Sequence, residues 1–275
     1  MNAHGLLALA PQYTSTRELL AQAAHRRGMD VQVWSARDGL SVRGQTDVHY
    51  YGGPVFAAHL GKVLDAWDVA LMEPSDGWLA ALPPAHTGRR VTLTTLAEAR
   101  RLTGPVFAKP PRDKSFPAAV HADGGSLPGE RELLSDTPVL LSDVATWAAE
   151  FRLYVLEGAV LTGSQYATFG RLDVAPLGGH RQEGPVRRFA HDLLADCGDD
   201  LPSAVVVDVG MLSAPVHGSG DGEGWAVVEA NMAWYSNCYA ADPDRALEVV
   251  LRASGPRSRT SARDLPFCRA RTEGP

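Results

Sequence analysis

The stretch Trp225-Ala-Val-Val-Glu-Ala-Asn231 ends an apolar run with a carboxylate and a carboxamide two residues apart. In a strand, side chains two apart share a face, so Glu229 and Asn231 project together, about 6.6 Å apart along the backbone. Val228 and Ala230 then take the opposite face. A carboxylate beside an amide oxygen is half of a hard-cation site, because Mg²⁺ takes oxygen ligands at about 2.0–2.1 Å. A second apolar strand, Val205-Val-Val-Asp208-Val-Gly-Met211, carries another acid. Buried without a partner, Asp208 would be costly. If the two strands pair, Asp208 faces Glu229 and a divalent cation neutralises both. Asp208, Glu229 and Asn231 are therefore the expected metal ligands. Any one of these acids alone reads first as a solvated residue on an outward-facing strand edge; three such groups on two paired strands favour the cation site.

Two basic groupings stand upstream. Pro105-Val-Phe-Ala-Lys109-Pro110 ends an apolar strand with a lysine, and Lys114 follows in Asp113-Lys-Ser-Phe116. Lysine binds phosphate as a compact point charge; singly, each of these two also reads as a surface side chain. Glu150-Phe-Arg152-Leu-Tyr154 enters a hairpin whose turn is Glu157-Gly158, a strong two-residue signal. Alternation puts Glu150, Arg152 and Tyr154 on one face. Taken by itself, that face is polar decoration with a weak ion pair, worth about 0–1 kcal/mol.

Around these segments the chain reads as α/β, then α+β. Gly5–Ala10, a helix over Arg17–Arg27 and Val31–Trp34 have the spacing of a βαβ unit with a parallel pair. Helices are expected over Phe56–Leu64, Gly77–Pro84 and Thr94–Leu102, the last capped by Thr94 or Thr95 with Glu98. A short strand is expected at Val69–Met72. From Pro105 short strands dominate, with later helices over Val186–Ala195 and Asp244–Ala253. Loops at Ala122–Gly129 and His217–Gly224 are candidate covers. Residues 254–275, rich in Arg, Ser, Thr and Pro, read as a flexible, solvated tail.

Composition narrows the function. With 26 basic against 32 acidic residues and a net charge of −6, the chain lacks the broad basic surface of a nucleic-acid protein. No apolar run reaches the roughly 20 residues of a membrane helix, and the start lacks the basic region of a signal peptide. A cytoplasmic protein is expected. The three cysteines form no CxxC pair, and the histidines show neither HxxH nor HExxH spacing. GxSxG, GxxxxGK[ST] and GxGxxG motifs are absent. Cys238 has no base nearby in sequence and reads as a packing residue.

The segments Phe107-Ala-Lys109-Pro110 with Asp113-Lys114-Ser-Phe116, Glu150-Phe-Arg152 with its hairpin, Val207-Asp208-Val-Gly210, Val228-Glu229-Ala-Asn231, and Trp234-Tyr-Ser with Tyr239 occur in that order. In this order they resemble the ATP-grasp superfamily, and within it the clade of small ATP-grasp proteins named for one arginine and two lysines. The resemblance covers about residues 50–253. It implies an α/β N-terminal (pre-ATP-grasp) domain over 1–103, then an α+β ATP-grasp domain over 104–253 with two subdomains around the nucleotide. By the same resemblance Lys109 and Lys114 would hold the ATP phosphates, and Arg152 would touch phosphate or the reacting carboxylate. Asp208, Glu229 and Asn231 would hold Mg²⁺. Glu150 would belong to the nucleotide site, and Ser142, Asp143 and Val144 would meet adenine. The pattern departs at Asn237-Cys238, where a small glycine-containing turn is expected. The implied reaction is an ATP- and Mg²⁺-dependent carboxylate–amine ligation through an acyl phosphate, with Arg152 and Lys114 catalytic. Its substrates would be a small carboxylate and an amine, such as amino acids or a peptide. The alternatives are a kinase-like phosphotransferase and a silent nucleotide-binding regulatory module.

Overall fold

The computed structural model of the chain describes residues 5–34, 47–112, 115–214 and 224–271. The first apolar run forms β1 (Leu6–Leu9), buried throughout, followed by α1 (Ser15–Arg26), β2 (Asp30–Val33) and β3 (Val48–Tyr51). β1 is the centre of a parallel sheet in the order β2-β1-β3, as the strand–helix–strand spacing predicts. Thr14 caps α1, its hydroxyl accepting from the Arg17 N–H at 3.1 Å.

After the turn at Gly52-Gly53 come α2 (Pro54–His59) and α3 (Gly61–Ala66). The helix expected over 77–84 is two single turns, α4 (Trp78–Ala81) and α5 (Pro84–Thr87). Pro83 forces the residue before it out of the helical region, and Leu82 is accordingly extended at ψ 144°. The helix expected over 94–102 is also shorter. β4 (Val91–Thr95) runs directly into α6 (Leu96–Ala99), and Thr95 caps it by accepting from the Glu98 N–H at 3.4 Å. β4 joins β5 (Val106–Lys109), β6 (Ala119–His121) and β7 (Pro138–Ser142) in an antiparallel sheet of order β4-β7-β5-β6. The expected boundary at residue 103 falls inside this sheet. Gly124 is buried, and a Cβ on it would come within 2.4 Å of the Ala99 carbonyl. The Ala122–Gly129 loop is therefore packed against α6 and is no free cover. Most of the other candidate cover, residues 217–223, lies outside the described residues.

The largest sheet contains β8 (Trp147–Leu156), β9 (Ala159–Thr168), β10 (Arg171–Pro176), β11 (Ala204–Leu212) and β12 (Trp225–Asn231), ordered β10-β9-β8-β11-β12. The β8–β9 hairpin turns at Glu157 and Gly158, both with positive φ (48° and 74°), as the two-residue signal requires. α7 (Glu183–Cys197) covers one face, packing Val186, Ala190 and Leu193 onto Phe151, Leu153, Val205 and Val207. α8 (Pro243–Ala253) covers the other, where Leu247 and Val250 share a core with Val206, Tyr154, β1 and β3. At about 1.5–3 kcal/mol for each buried Leu or Val, this shared core ties the first sheet to the largest one.

Residues 254–271 are not a solvated tail. The Arg269 N–H donates to the Leu71 carbonyl and the Ala70 N–H to the Gly255 carbonyl, each at 2.8 Å. The expected strand at Val69–Met72 reduces to two isolated bridges with this segment, Val69 to Pro256 and Met72 to Cys268. The anchors are polar, which is why composition reads as solvation. Asp264 is wholly buried and accepts from the Ser203 N–H (2.7 Å), the Ser203 and Ser261 hydroxyls (2.7 Å each) and Arg252 (3.1 Å). Among the described residues no helix is long and apolar enough to cross a membrane.

Candidate active site

Strand register brings the sequence-predicted acids and arginine into one row. Asp208 in β11 lies opposite Arg152 in β8 on one side and Glu229 in β12 on the other. Arg152 grips Asp208 through two parallel bonds, Nε to Oδ1 at 2.9 Å and Nη2 to Oδ2 at 2.7 Å. Asp208 is 1% exposed. Burial pushes its carboxyl above the usual range against the pull of Arg152, while Asp208 overcomes burial to hold the guanidinium well above its ordinary pKa.

Simple alternation along β12 would put Trp225 and Val227 on the same face as Glu229. The register instead slips between Asp208 and Val209, leaving Val228 as an extra residue. This bulge sends Trp225 and Val227 into the α7 core and turns Glu229 and Asn231 toward Asp208. Arg89, which sequence reasoning missed, braces the bulge. Its buried guanidinium donates to the Val227 carbonyl at 2.7 Å and the Val228 carbonyl at 3.3 Å and stacks on Trp147, 4.9 Å from the ring centroid. Burial lowers Arg89 to about 10, opposed by Asp143 and Glu229. No short motif flags it, because its partners are backbone atoms.

Lys109, at the end of β5, pairs with Glu229. Burial pushes the Glu229 carboxyl up, but Lys109 and Asn231 outweigh it and hold the group down at about 2. The Asn231 amide donates to Glu229 Oε1 at 2.8 Å and to Asp208 Oδ2 at 3.3 Å. The one amide group thus bridges the two carboxylates, joining β11 and β12 side chain to side chain. Lys109, Arg152, Glu229 and Asn231 line a cleft of about 830 Å³ with Gln12, Arg17, Tyr51, Arg112, Tyr235 and Tyr239. That volume lies in the range of small-molecule sites.

The remaining expected residues divide. Glu150 does not line the cleft; it accepts from the Tyr166 hydroxyl at 2.8 Å, and burial raises its carboxyl despite that bond. Tyr166 stacks on Tyr239 at 5.4 Å, and the Arg152 guanidinium lies 5.7 and 5.4 Å from their ring centroids. Ser142 ends β7, and Asp143 and Val144 begin the connection to β8, all three outside the cleft lining; Asp143 instead accepts from the Arg90 N–H and Nη2, both at 3.0 Å. Asp113 and Lys114 lie outside the described residues. At Asn237-Cys238 the expected glycine turn is replaced by Tyr239 at φ 51°, a left-handed backbone that a tyrosine rarely takes. Cys238 is a packing residue as expected, buried beside the Tyr154 hydroxyl with its thiol pushed by burial up to about 11.

Among the described residues no cluster of three or more His, Cys, Asp or Glu side chains could hold a metal. The donor set here is two carboxylates and an amide, all hard oxygen donors, and it fits a small divalent cation without imidazole or thiolate. Both negative charges are matched by protein cations, Arg152 from the buried side and Lys109 from the cleft side.

Comparison with known proteins agrees with this architecture. The family model of the ATP-grasp domain of the one-arginine, two-lysine clade, family 2, matches residues 86–249. Among the curated proteins, none matches by sequence. The fold is similar to that of an ATP-grasp RimK-domain protein from Sphaerobacter thermophilus, at 16% identity over 90% of this chain and 99% of that one, with a TM-score of 0.51. It is also similar to N5-carboxyaminoimidazole synthetase from Staphylococcus aureus, at 12% identity over 94% of this chain and 81% of that one, with a TM-score of 0.52. At these identities the likeness is one of fold.

Proposed function

The chain belongs to the one-arginine, two-lysine clade of ATP-grasp domains, and from that premise we propose that it is an ATP- and Mg²⁺-dependent carboxylate–amine ligase. The supporting observation is that Lys109, Arg152, Glu229 and Asn231 line one cleft, with Asp208 buried between Arg152 and Glu229 in the strand row beneath it. Asp208, Glu229 and Asn231 would hold Mg²⁺, which when bound neutralises charge on the transferring phosphoryl group. The synthetase of similar fold supports ligation over simple phosphorylation.

In this reading the substrate carboxylate attacks the terminal phosphorus of ATP and ADP leaves. The amine then attacks the acyl carbon, loses its proton, and inorganic phosphate departs. Lys109 leaves Glu229 for phosphate oxygens, a short move for a flexible ammonium. Arg152 stays, fixed by Asp208, and presents its remaining N–H groups to developing negative charge. Tyr166 and Tyr239 keep its plane oriented. Lys114 would join Lys109 on the phosphates.

The test is ADP and phosphate release measured with paired carboxylates and amines, chiefly amino acids and short peptides. Phosphate release that requires the amine, with an amide product by mass spectrometry, supports the ligase. A phosphorylated product that accumulates without an amine would replace it with a kinase. An unaltered melting temperature with MgATP would remove the nucleotide site altogether.

A further inference from the structure

Glu73 is a buried carboxylate, 5% exposed, outside the row described above. Two arginines from distant parts of the chain converge on it. Arg269, in the segment after α8, donates to Oε1 from Nε at 2.8 Å and also lies within 2.8 Å through Nη2. Arg112, three residues beyond Lys109, donates to Oε2 from Nη1 at 3.2 Å and gives its Nε–H to Asp76. Burying a carboxylate is costly, and one cation would suffice to pair it. The second cation has a different setting: Arg112 lines the main cleft, and with Lys109, Glu229 and Asn231 it also lines a smaller recess beside it. Glu73 and Asp76 hold the guanidinium by its Nε and Nη1 groups, so its plane is set while the Nη2 end can still meet a ligand.

We propose that Arg112 is a further phosphate-binding residue of the cleft, and that Glu73, gripped from behind by Arg269, is the positioning residue that holds it there. The proposal rests on the nucleotide reading of the cleft. Lys109 and Arg112 leave the end of β5 on one short segment and face the same two hollows, so a polyphosphate held by Lys109 lies within the reach of Arg112. A planar guanidinium already fixed at two N–H groups loses little freedom on meeting an anionic oxygen. The segment after α8 thereby becomes part of the nucleotide site without touching it.

Arg271 supplies the comparison. It ties the same segment to the body of the protein through Asp68 at 3.2 Å, away from the cleft lining. Calorimetric titration of the full chain with MgATP would compare Arg112→Ala, Arg269→Ala, Arg269→Lys and Arg271→Ala, with melting temperatures recorded in parallel. We expect Arg112→Ala and Arg269→Ala each to weaken MgATP at least about tenfold, Arg269→Lys to recover part of that loss, and Arg271→Ala to leave affinity unchanged. Equal affinity in Arg269→Ala and Arg271→Ala, at any melting temperature, would reduce the bracket to a structural tie and overturn its positioning role. Wild-type affinity in Arg112→Ala would overturn the phosphate assignment. Absence of MgATP binding by the wild type would instead fall on the nucleotide reading itself.

Discussion

Two ion pairs meet in the cleft, and they differ in kind. Arg152–Asp208 belongs to the floor: both partners sit on central strands, the geometry is bidentate, and the carboxylate has almost no exposure. Lys109–Glu229 belongs to the rim, with 29% of the Glu229 side chain exposed and an ammonium that reaches across from another sheet. A buried, doubly bonded pair fixes geometry and is costly to disturb. A pair at the edge of a cleft can exchange one partner for a ligand. The same two charge types thus serve as scaffold in one place and as an exchangeable contact in the other.

Breaking the floor should have the largest effect. Asp208→Asn leaves the Arg152 guanidinium buried without its countercharge, and we expect it to cost about 3–5 kcal/mol in urea unfolding of the ligand-free protein. A loss under about 1 kcal/mol would place the floor pair in the same class as the rim pair. Glu229→Gln should do the reverse, staying within about 1 kcal/mol of wild-type stability while lowering ATP turnover at least about a hundredfold, the scale seen when a group stabilising transition-state charge is lost. Near-normal turnover would show that the carboxylate of Glu229 is dispensable.

The smallest effect is in acid. Lys109 and Asn231 hold Glu229 at about 2 against burial, below its ordinary value of 4.5. Because the folded-state pKa is the lower one, the stabilisation is fully present above pH 4.5 and is lost as pH falls toward about 2. The stability gap between wild type and Lys109→Ala should narrow across that window. A gap that stays constant from about pH 6 to about pH 2 would mean that the rim pair contributes nothing through ionisation.

The site row was legible because strand alternation is a property of a few neighbouring residues: Arg152 and Asp208 needed only period two and antiparallel pairing, which by themselves do not tell that Glu150 stays outside the cleft lining. Period two also puts Glu229 and Asn231 side by side, but the bulge that turns them toward Asp208 is not visible in the sequence. Valine at 228 carries no bulge signal, and Arg89 acts on it through carbonyl groups. β4 was hidden by a correct reading of its neighbour, since the Thr95 cap of α6 is also the last residue of the strand. β10 escaped because an exposed edge strand buries no face. Glu73, Arg112 and Arg269 form one bracket from three remote positions, which no local pattern can assemble. The same limit applies to residues 254–271, whose anchor Asp264 has partners at Ser203 and Arg252.

The core that joins β1 and β3 to α8 also bears on how the chain is made. Leu6, Leu7 and Leu9 reach the outside of a ribosome long before Ala246, Leu247 and Val250, the residues that cover their side of the core. At roughly 5–20 residues per second, the interval is on the order of ten to fifty seconds. Through that interval the first strands have a parallel partner but no completed core, and the apolar side chains that α8 later covers have no cover from it. Final closure waits for the segment carrying Arg269 to dock against Leu71 and Glu73.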